Sequence, residues 1–306
     1  MTAPRVLPRR RFLGAAAAAF AATAAPIPAL ARIRLPDIAA NAFGLRSHLV
    51  ADFSGTLRQL RRIGFKRIEL VSFKGWDGHP YGSFTALAGM SGEAVARALA
   101  NAGMVATSSH VLPSELRPDA IAHTLEWMGP IGVKSLIIAG LPIANESPDA
   151  IARSLEGLNE TGRLLSAHGV RLLVHSDFAF WNPLAQSQVI DRFFRLVDPT
   201  LCKLQLDLGA CLQMAADPVG IIRQHGVHIG SLHLRDGKPP FAATTYVPSV
   251  ALGEGVAPLP EIMRAAREAA IADFVLEMVM RPEGGELPAL ERSLSYMKSH
   301  RAGETP

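Results

Sequence analysis

Short apolar runs in this 306-residue chain end on acidic or imidazole side chains: His48, Glu69, His110, His175, Asp207, His233 and Glu277, with Asp177 two residues beyond His175. In four of them the alternation is plain. Leu172 and Val174 alternate with His175, Leu204 and Leu206 with Asp207, Leu232 and Leu234 with His233, and Phe274 and Leu276 with Glu277. A period of two residues belongs to a strand, so the polar group points away from the face that the leucines cover. Asp and Glu number 27 and His 10 among the 306 residues, about one in eight, so composition alone does not produce this succession. Asp207, His233 and Glu277, with His175 beside them, offer mixed nitrogen and oxygen donors to one divalent ion. Mn, Mg, Zn, Co or Fe suits such a set; the histidines disfavour calcium, and the lack of cysteine disfavours a structural zinc.

Such side chains meet only if their strands are held side by side. The pattern predicts strands at Phe43 to His48, Arg67 to Val71, Val105 to His110, Ser135 to Ala139, Arg171 to Ser176, Lys203 to Asp207, Ile229 to Leu234 and Asp273 to Met278. Amphipathic segments alternate with them: Ser54 to Ile63, Ser91 to Ala102, Pro118 to Ile131, Pro148 to His168, Gln186 to Val197, Pro218 to His225, Leu259 to Ala270 and Glu286 to Ser299. Ser54, Ser91 and Pro148 supply capping or first-turn residues. Eight β-then-α units predict a single-domain α/β fold, a closed (β/α)8 TIM barrel with its chemistry at the carboxyl ends of the strands. No Gly-x-Gly-x-x-Gly follows the first strand, so a dinucleotide-binding sheet has no support. Gly237 to Pro258 is expected as the loop after strand seven.

Charged residues make up 19% and apolar ones 49%, with a net charge of +4. Disorder is excluded, and the charge is too small for a dedicated nucleic-acid binder. Arg5, Arg9, Arg10 and Arg11 supply that excess from the first eleven residues. Arg9-Arg10-Arg11-Phe12-Leu13, an Ala-rich stretch to Ala25 and Ala29-Leu30-Ala31 read as a signal peptide over 1–31, with paired arginines resembling the twin-arginine export motif. The barrel then occupies 32–306 of a periplasmic protein with no membrane segment after signal removal, since no later stretch approaches the roughly 20 apolar residues a span needs. Cys202 and Cys211 sit at opposite ends of one strand, about 25 Å apart at ~3.3 Å per residue, and are expected as free, buried thiols.

The local motifs occur in a telling order: Gly64-Phe65-Lys66-Arg67-Ile68-Glu69-Leu70, Ser108-Ser109-His110, Val174-His175-Ser176-Asp177-Phe178-Ala179-Phe180, Leu206-Asp207-Leu208-Gly209, Leu232-His233-Leu234-Arg235-Asp236, Leu252-Gly253-Glu254-Gly255 and Val275-Leu276-Glu277. Together they resemble the xylose isomerase-like TIM-barrel superfamily, often labelled sugar phosphate isomerases/epimerases, over essentially the whole mature chain. Within it they are similar to an exported branch whose fifth strand ends Tyr-His-Asn-His-Asp-Phe-Glu-Phe. The resemblance implies a metal held from strands five to eight, by position His175, Asp207, His233 and Glu277. It places Arg235 where members carry a basic residue that can clamp a substrate oxygen or phosphate. Two departures stand out. Strand five offers His175 where epimerases use a glutamate, and Ala210 replaces a histidine that often follows the strand-six acid. A symmetric pair of glutamates is therefore absent, leaving His175 and Glu277 as the proton-moving pair.

The implied reaction is proton abstraction next to a carbonyl, through a metal-stabilised enediolate, in an isomerase or epimerase. Periplasmic placement favours an unphosphorylated sugar or keto-sugar. A lyase or hydratase acting on keto-sugars or keto-glycosides would use the same site. The two departures also leave room for a non-catalytic sugar-binding barrel. A nuclease, which one superfamily branch provides, would need more metal ligands than the sequence offers. His48, Glu69, His110, Asp177 and Arg235 are the expected substrate-binding residues, joined by Trp181, which can stack on a sugar face or pack the mouth. Trp76, His79 and Tyr81 form a further loop group, Trp127 is expected in the core, and Phe178 and Phe180 as packing. Homo-oligomers are common among barrels of this type.

Overall fold

The two-residue alternation becomes eight parallel strands in the computed structural model, which describes residues 38–75, 83–141, 146–177, 180, 189–241, 247–280 and 282–300. Segment 1–31 and Trp76, His79, Tyr81, Phe178 and Trp181 lie outside the described residues. The strands are β1 (Ala39–Asn41), β2 (Arg67–Leu70), β3 (Val105–Val111), β4 (Ser135–Ile138), β5 (Arg171–His175), β6 (Cys202–Asp207), β7 (Ile229–Leu234) and β8 (Phe274–Leu276). They pair in sequence order, and β1 closes on β8 through Ala39↔Val275 and Ala40↔Leu276, so the sheet is the expected closed barrel. Helices α1 (Arg46–Ala51), α2 (Phe53–Ile63), α3 (Gly92–Asn101), α4 (Ile121–Met128), α5 (Pro148–Ser166), α6 (Val189–Leu196), α7 (Leu208–Gln213), α8 (Pro218–His225), α9 (Leu259–Glu268) and α10 (Glu286–Ser299) lie between and after the strands. No helix among the described residues is long and apolar enough to cross a membrane.

The leucines do what their parity requires. Leu172, Val174, Leu204, Leu206, Leu232, Leu234 and Leu276 are buried in the layer between strands and helices; each such side chain contributes about 1.5–3 kcal/mol of burial. On the helix side, Leu57 and Leu60 of α2 meet the same layer. Ser91 caps α3 and Ser147 caps α5 ahead of Pro148, whereas α2 is capped by Asp52, whose carboxylate accepts from Gly55 N–H at 2.7 Å, rather than by Ser54. Trp127 is buried, stacks on Phe73 at 4.7 Å and donates to Met90 O, as a core residue should. Phe180 packs edge-on against Phe193, and Cys202 and Cys211 are free and buried.

The first strand corrects the sequence reading. Phe43 to His48 is not a strand: Phe43–Leu45 is a 3₁₀ turn and Arg46–Ala51 is helical. Asn41 is the cause, because its side-chain oxygen accepts from Phe43 N–H at 2.8 Å and Gly44 N–H at 3.3 Å, turning the chain out of the sheet. Gly44 is required at that turn, since a Cβ there would fall 2.0 Å from Met278 O. The lumenal residue at the end of strand one is thus Asn41. His48 rides on α1 and faces Glu286 of α10, with Nε2 3.3 Å from Oε2.

Two register shifts lie beside the polar lumen. Glu69 pairs with Ser108 after Ile68 has paired with Ala106, and Gln205 pairs with Ser231 after Leu204 has paired with Ile229. One extra residue on β3 and one on β7 re-aim the side chains beyond them, a usual device near barrel sites.

Candidate metal and proton-transfer site

Parity stacks the lumenal side chains in layers. Asn41, Glu69, Ser108, Gln205 and Ser231 form one, and His110, His175, Asp207, His233 and Glu277 lie above it toward the carboxyl ends. All of these side chains are buried, so every polar atom needs a partner.

Glu69 is the hub of the lower layer. Its Oε1 accepts from Asn41 Nδ2 at 3.0 Å and lies 2.6 Å from His233 Nε2 and 3.1 Å from His110 Nε2. Its Oε2 accepts from Ser108 Oγ at 2.7 Å and Gln205 Nε2 at 2.9 Å. Burial works against the charge, but His110 and His233 outweigh it and hold the carboxyl well below the usual range.

With Nε2 spent on Glu69, His233 turns Nδ1 upward. That buried nitrogen has no hydrogen-bond partner and faces Glu277 Oε2 at 3.4 Å. Asp207, His233 and Glu277 each bring one donor atom within 4.8 Å of the other two, and His110, His175 and His233 do likewise. Arg235 is the one guanidinium beside Asp207 and Glu277, so with Glu69 the three lumenal carboxylates formally outnumber it by two. An unpartnered imidazole nitrogen, two carboxylates and that charge fit one divalent ion, and a ligating histidine anchored from behind by a carboxylate is the usual support.

Without an ion, a proton takes its place. Burial disfavours charge on His233, but Glu69 and Glu277 on either side outweigh it and raise its pKa to about 10. Burial would likewise raise Glu277, yet His233, Arg235 and His175 pull it down to about 2. His175 goes the other way: burial first, then the charge on His233, lowers it to about 4, so its ring is neutral near pH 7. Its Nδ1 lies 3.1 Å from Gln205 Oε1, and its Nε2 is 3.8 Å from Asp207 Oδ2. A neutral imidazole with one nitrogen turned to a carboxylate oxygen is placed to hold and return one proton.

Arg235 lies within the cluster rather than at its rim. It is 2% exposed, donates to Asp207 Oδ2 at 3.0 Å and Val247 O at 2.9 Å, and sets Nε 3.7 Å from Glu277 Oε2. Gly209 makes room for it, since a Cβ there would lie 2.3 Å from the guanidinium. Asp207 also caps α7 through Gly209 N–H. Next along the chain, Asp236 accepts from the backbone N–H groups of Gly237, Gly253, Gly255 and Ala257. That explains the Leu-Gly-Glu-Gly motif as the segment docked on the end of β7.

Of the residues expected at the site, Glu69, His110, His175, Asp207, His233, Arg235 and Glu277 come together. Asp177 is half-buried just past β5, its carboxylate near Gly140, and His48 does not join them. The sequence reading missed Asn41, Ser108 and Gln205. Ser108 and Gln205 each stand two residues before a polar strand end, a parity signal that was available. A cavity of about 460 Å³ opens at the opposite, amino-terminal end of the barrel, among Arg67, Arg171, Lys203 and Asp273, and touches none of the cluster.

The model of the xylose isomerase-like TIM barrel family matches residues 57–300. Inosose dehydratase of Clostridium tetani is 27% identical over 81 residues, which is 26% of this chain and 26% of that protein. The chain therefore aligns with about a quarter of that curated relative. A sugar phosphate isomerase/epimerase from Parabacteroides distasonis superposes with a TM-score of 0.71 at 17% identity, over 88% of this chain and 96% of that one. A xylose isomerase-like TIM barrel protein from Mycobacterium smegmatis, in complex with magnesium, gives 0.66 at 17% identity, over 87% and 97%. At such identities the two superpositions speak for the fold.

Proposed function

Since this chain belongs to the xylose isomerase-like TIM barrel family, we propose that it is a divalent-metal-dependent isomerase or epimerase acting on an unphosphorylated sugar or keto-sugar. The observation that carries the reading is the convergence of Asp207, His233 and Glu277 around an imidazole nitrogen that lacks a hydrogen bond. These three residues, with His175, would hold the ion, which supplies Lewis-acid polarisation of a carbonyl and its neighbouring hydroxyl when bound. Glu69 keeps His233 in the orientation that ligation requires. Glu277 accepts the proton from the carbon next to the carbonyl, and the neutral His175 can take a second proton on Nε2 and return it whenever that nitrogen is not ligating the ion. Arg235 neutralises part of the charge on Asp207 and Glu277. Its donors face Asp207 and the Val247 carbonyl, which supports a substrate without a phosphate. His110 and Asp177 are carried in the same proposal as residues that bind substrate hydroxyls. Export to the periplasm by segment 1–31 belongs to the same proposal, and fractionation with a cut near Ala31 tests it.

The similarity to an inosose dehydratase favours a second reading, a lyase or hydratase that uses the same proton abstraction and then expels a β-substituent. Incubating Mn²⁺-loaded protein with keto-sugars in D₂O separates the two. Deuterium at the carbon next to the carbonyl in a product of otherwise unchanged mass supports isomerisation or epimerisation, and loss of water or an aglycone supports elimination. Sugar binding without exchange, unchanged by Glu277→Gln, would contradict both and leave a binding barrel.

A further inference from the structure

Gln205 lies one lumenal layer below Asp207 and is fully buried. Its amide can sit only one way round. Nε2 is 2.9 Å from Glu69 Oε2, an ionised carboxylate oxygen that accepts and never donates, so the nitrogen belongs there and Oε1 turns to the histidines. That oxygen lies 3.1 Å from His175 Nδ1 and 2.9 Å from His110 Nε2. A carbonyl oxygen only accepts, so both ring nitrogens must carry hydrogen. A neutral His175 ring with its hydrogen on Nδ1 has its lone pair on Nε2, the nitrogen on the Asp207 side. The chain of acceptors thus runs from Glu69 through Gln205 to the ring, and its last link decides which nitrogen is basic.

We propose that Gln205 is a positioning residue that locks His175 as its Nδ1–H tautomer and so presents the Nε2 lone pair to the site. The opposite tautomer would aim an N–H at the place where a ligand atom or a base is needed. The tautomer stands on hydrogen bonding alone, whereas its use in metal or proton chemistry rests on the function proposed above.

The test is long-range ¹H–¹⁵N correlation of the metal-free full barrel labelled at histidine, at pH 7, with the His175 signals assigned by their loss in His175→Gln. The expected result is an Nδ1–H pattern for His175 in the wild type. Gln205→Met keeps the length and removes the acceptor, so the pattern should move to Nε2–H or to a mixture, and affinity for Mn²⁺ should fall about 10–100-fold. Gln205→Glu retains an accepting oxygen for the ring and, protonated on the other, a donor for Glu69, so it should restore Nδ1–H. An Nε2–H pattern in the wild type overturns the proposal whether or not the variants fold, as does an unchanged pattern in Gln205→Met. A wild type that takes up no Mn²⁺ while its tautomer responds as expected would remove the catalytic reading and leave Gln205's role intact.

Discussion

Glu69→Gln is the perturbation that reaches furthest into the site while changing the fewest atoms. Glu69 is fully buried and receives Asn41, His110 and His233 on one oxygen and Ser108 and Gln205 on the other. An amide keeps the shape but carries an NH₂ on one side, so donors meet a donor whichever way it turns. Orienting the NH₂ toward Oε2's partners sets it against Gln205 Nε2, although the Ser108 hydroxyl can turn and accept; orienting it the other way sets it against Asn41 Nδ2 and the protonated His233 at 2.6 Å. Each charge-assisted hydrogen bond contributes about 1.5–3 kcal/mol, and breaking one side of a buried pair costs about 3–5 kcal/mol. In a domain of this size 1 kcal/mol shifts Tm by about 2–4 °C, so the metal-free variant should melt roughly 6–20 °C below wild type at pH 7. Mn²⁺ affinity should fall about 10–100-fold, because His233 loses the carboxylate that fixes its ring. Thermal unfolding by circular dichroism and Mn²⁺ titration read the two effects. A Tm within about 2 °C of wild type, together with unchanged Mn²⁺ affinity, would refute the hub role.

The metal-free protein should be most stable near pH 6.5. His233, raised to about 10, contributes stability that is complete below its unfolded value and lost as pH rises toward 10. Glu277, lowered to about 2, contributes stability above its unfolded value that is lost as pH falls toward 2, and His175, lowered to about 4, penalises folding increasingly below about 6.5. A Tm profile rising steadily from pH 6.5 to 9 would contradict this assignment. Mn²⁺ uptake displaces the His233 proton, so affinity should rise about tenfold per pH unit between pH 6 and 9; pH-independent binding would mean that His233 is not a ligand. Gly209→Ala would push a methyl group into a guanidinium pinned by Asp207 and Val247, costing about 3–5 kcal/mol as the buried pair separates, and an unchanged melting curve would contradict that packing.

The barrel was legible because one physical rule, the two-residue period, fixed both the strands and the direction of their polar ends. It failed where a side chain overruled the pattern. Phe43 to His48 alternates as a strand would, but Asn41 takes the backbone N–H groups of Phe43 and Gly44 and ends β1 before that run begins. The convergence of Asp207, His233 and Glu277 was legible for the same reason, since they end adjacent strands; that they hold a metal together with His175 is the proposal. The supporting layer was not, because Asn41, Ser108 and Gln205 are neutral and carry no chemistry of their own. Their importance comes from contact with Glu69 and two histidines, which depends on three-dimensional closure and on the register shifts at β3 and β7. Arg235 was read as a residue facing substrate, and the structure encloses it between Asp207 and Glu277 at 2% exposure.

The most direct test of the metal site is the metal content of the protein from Arg32 onward, purified without chelator, for wild type and for the double variant Asp207→Ala with His233→Ala. About one Mn, Zn, Fe, Co or Mg per chain, bound by wild type and absent from the double variant, is the expected result. A wild type that carries no metal even after supplementation, or a double variant that keeps it, would contradict the site.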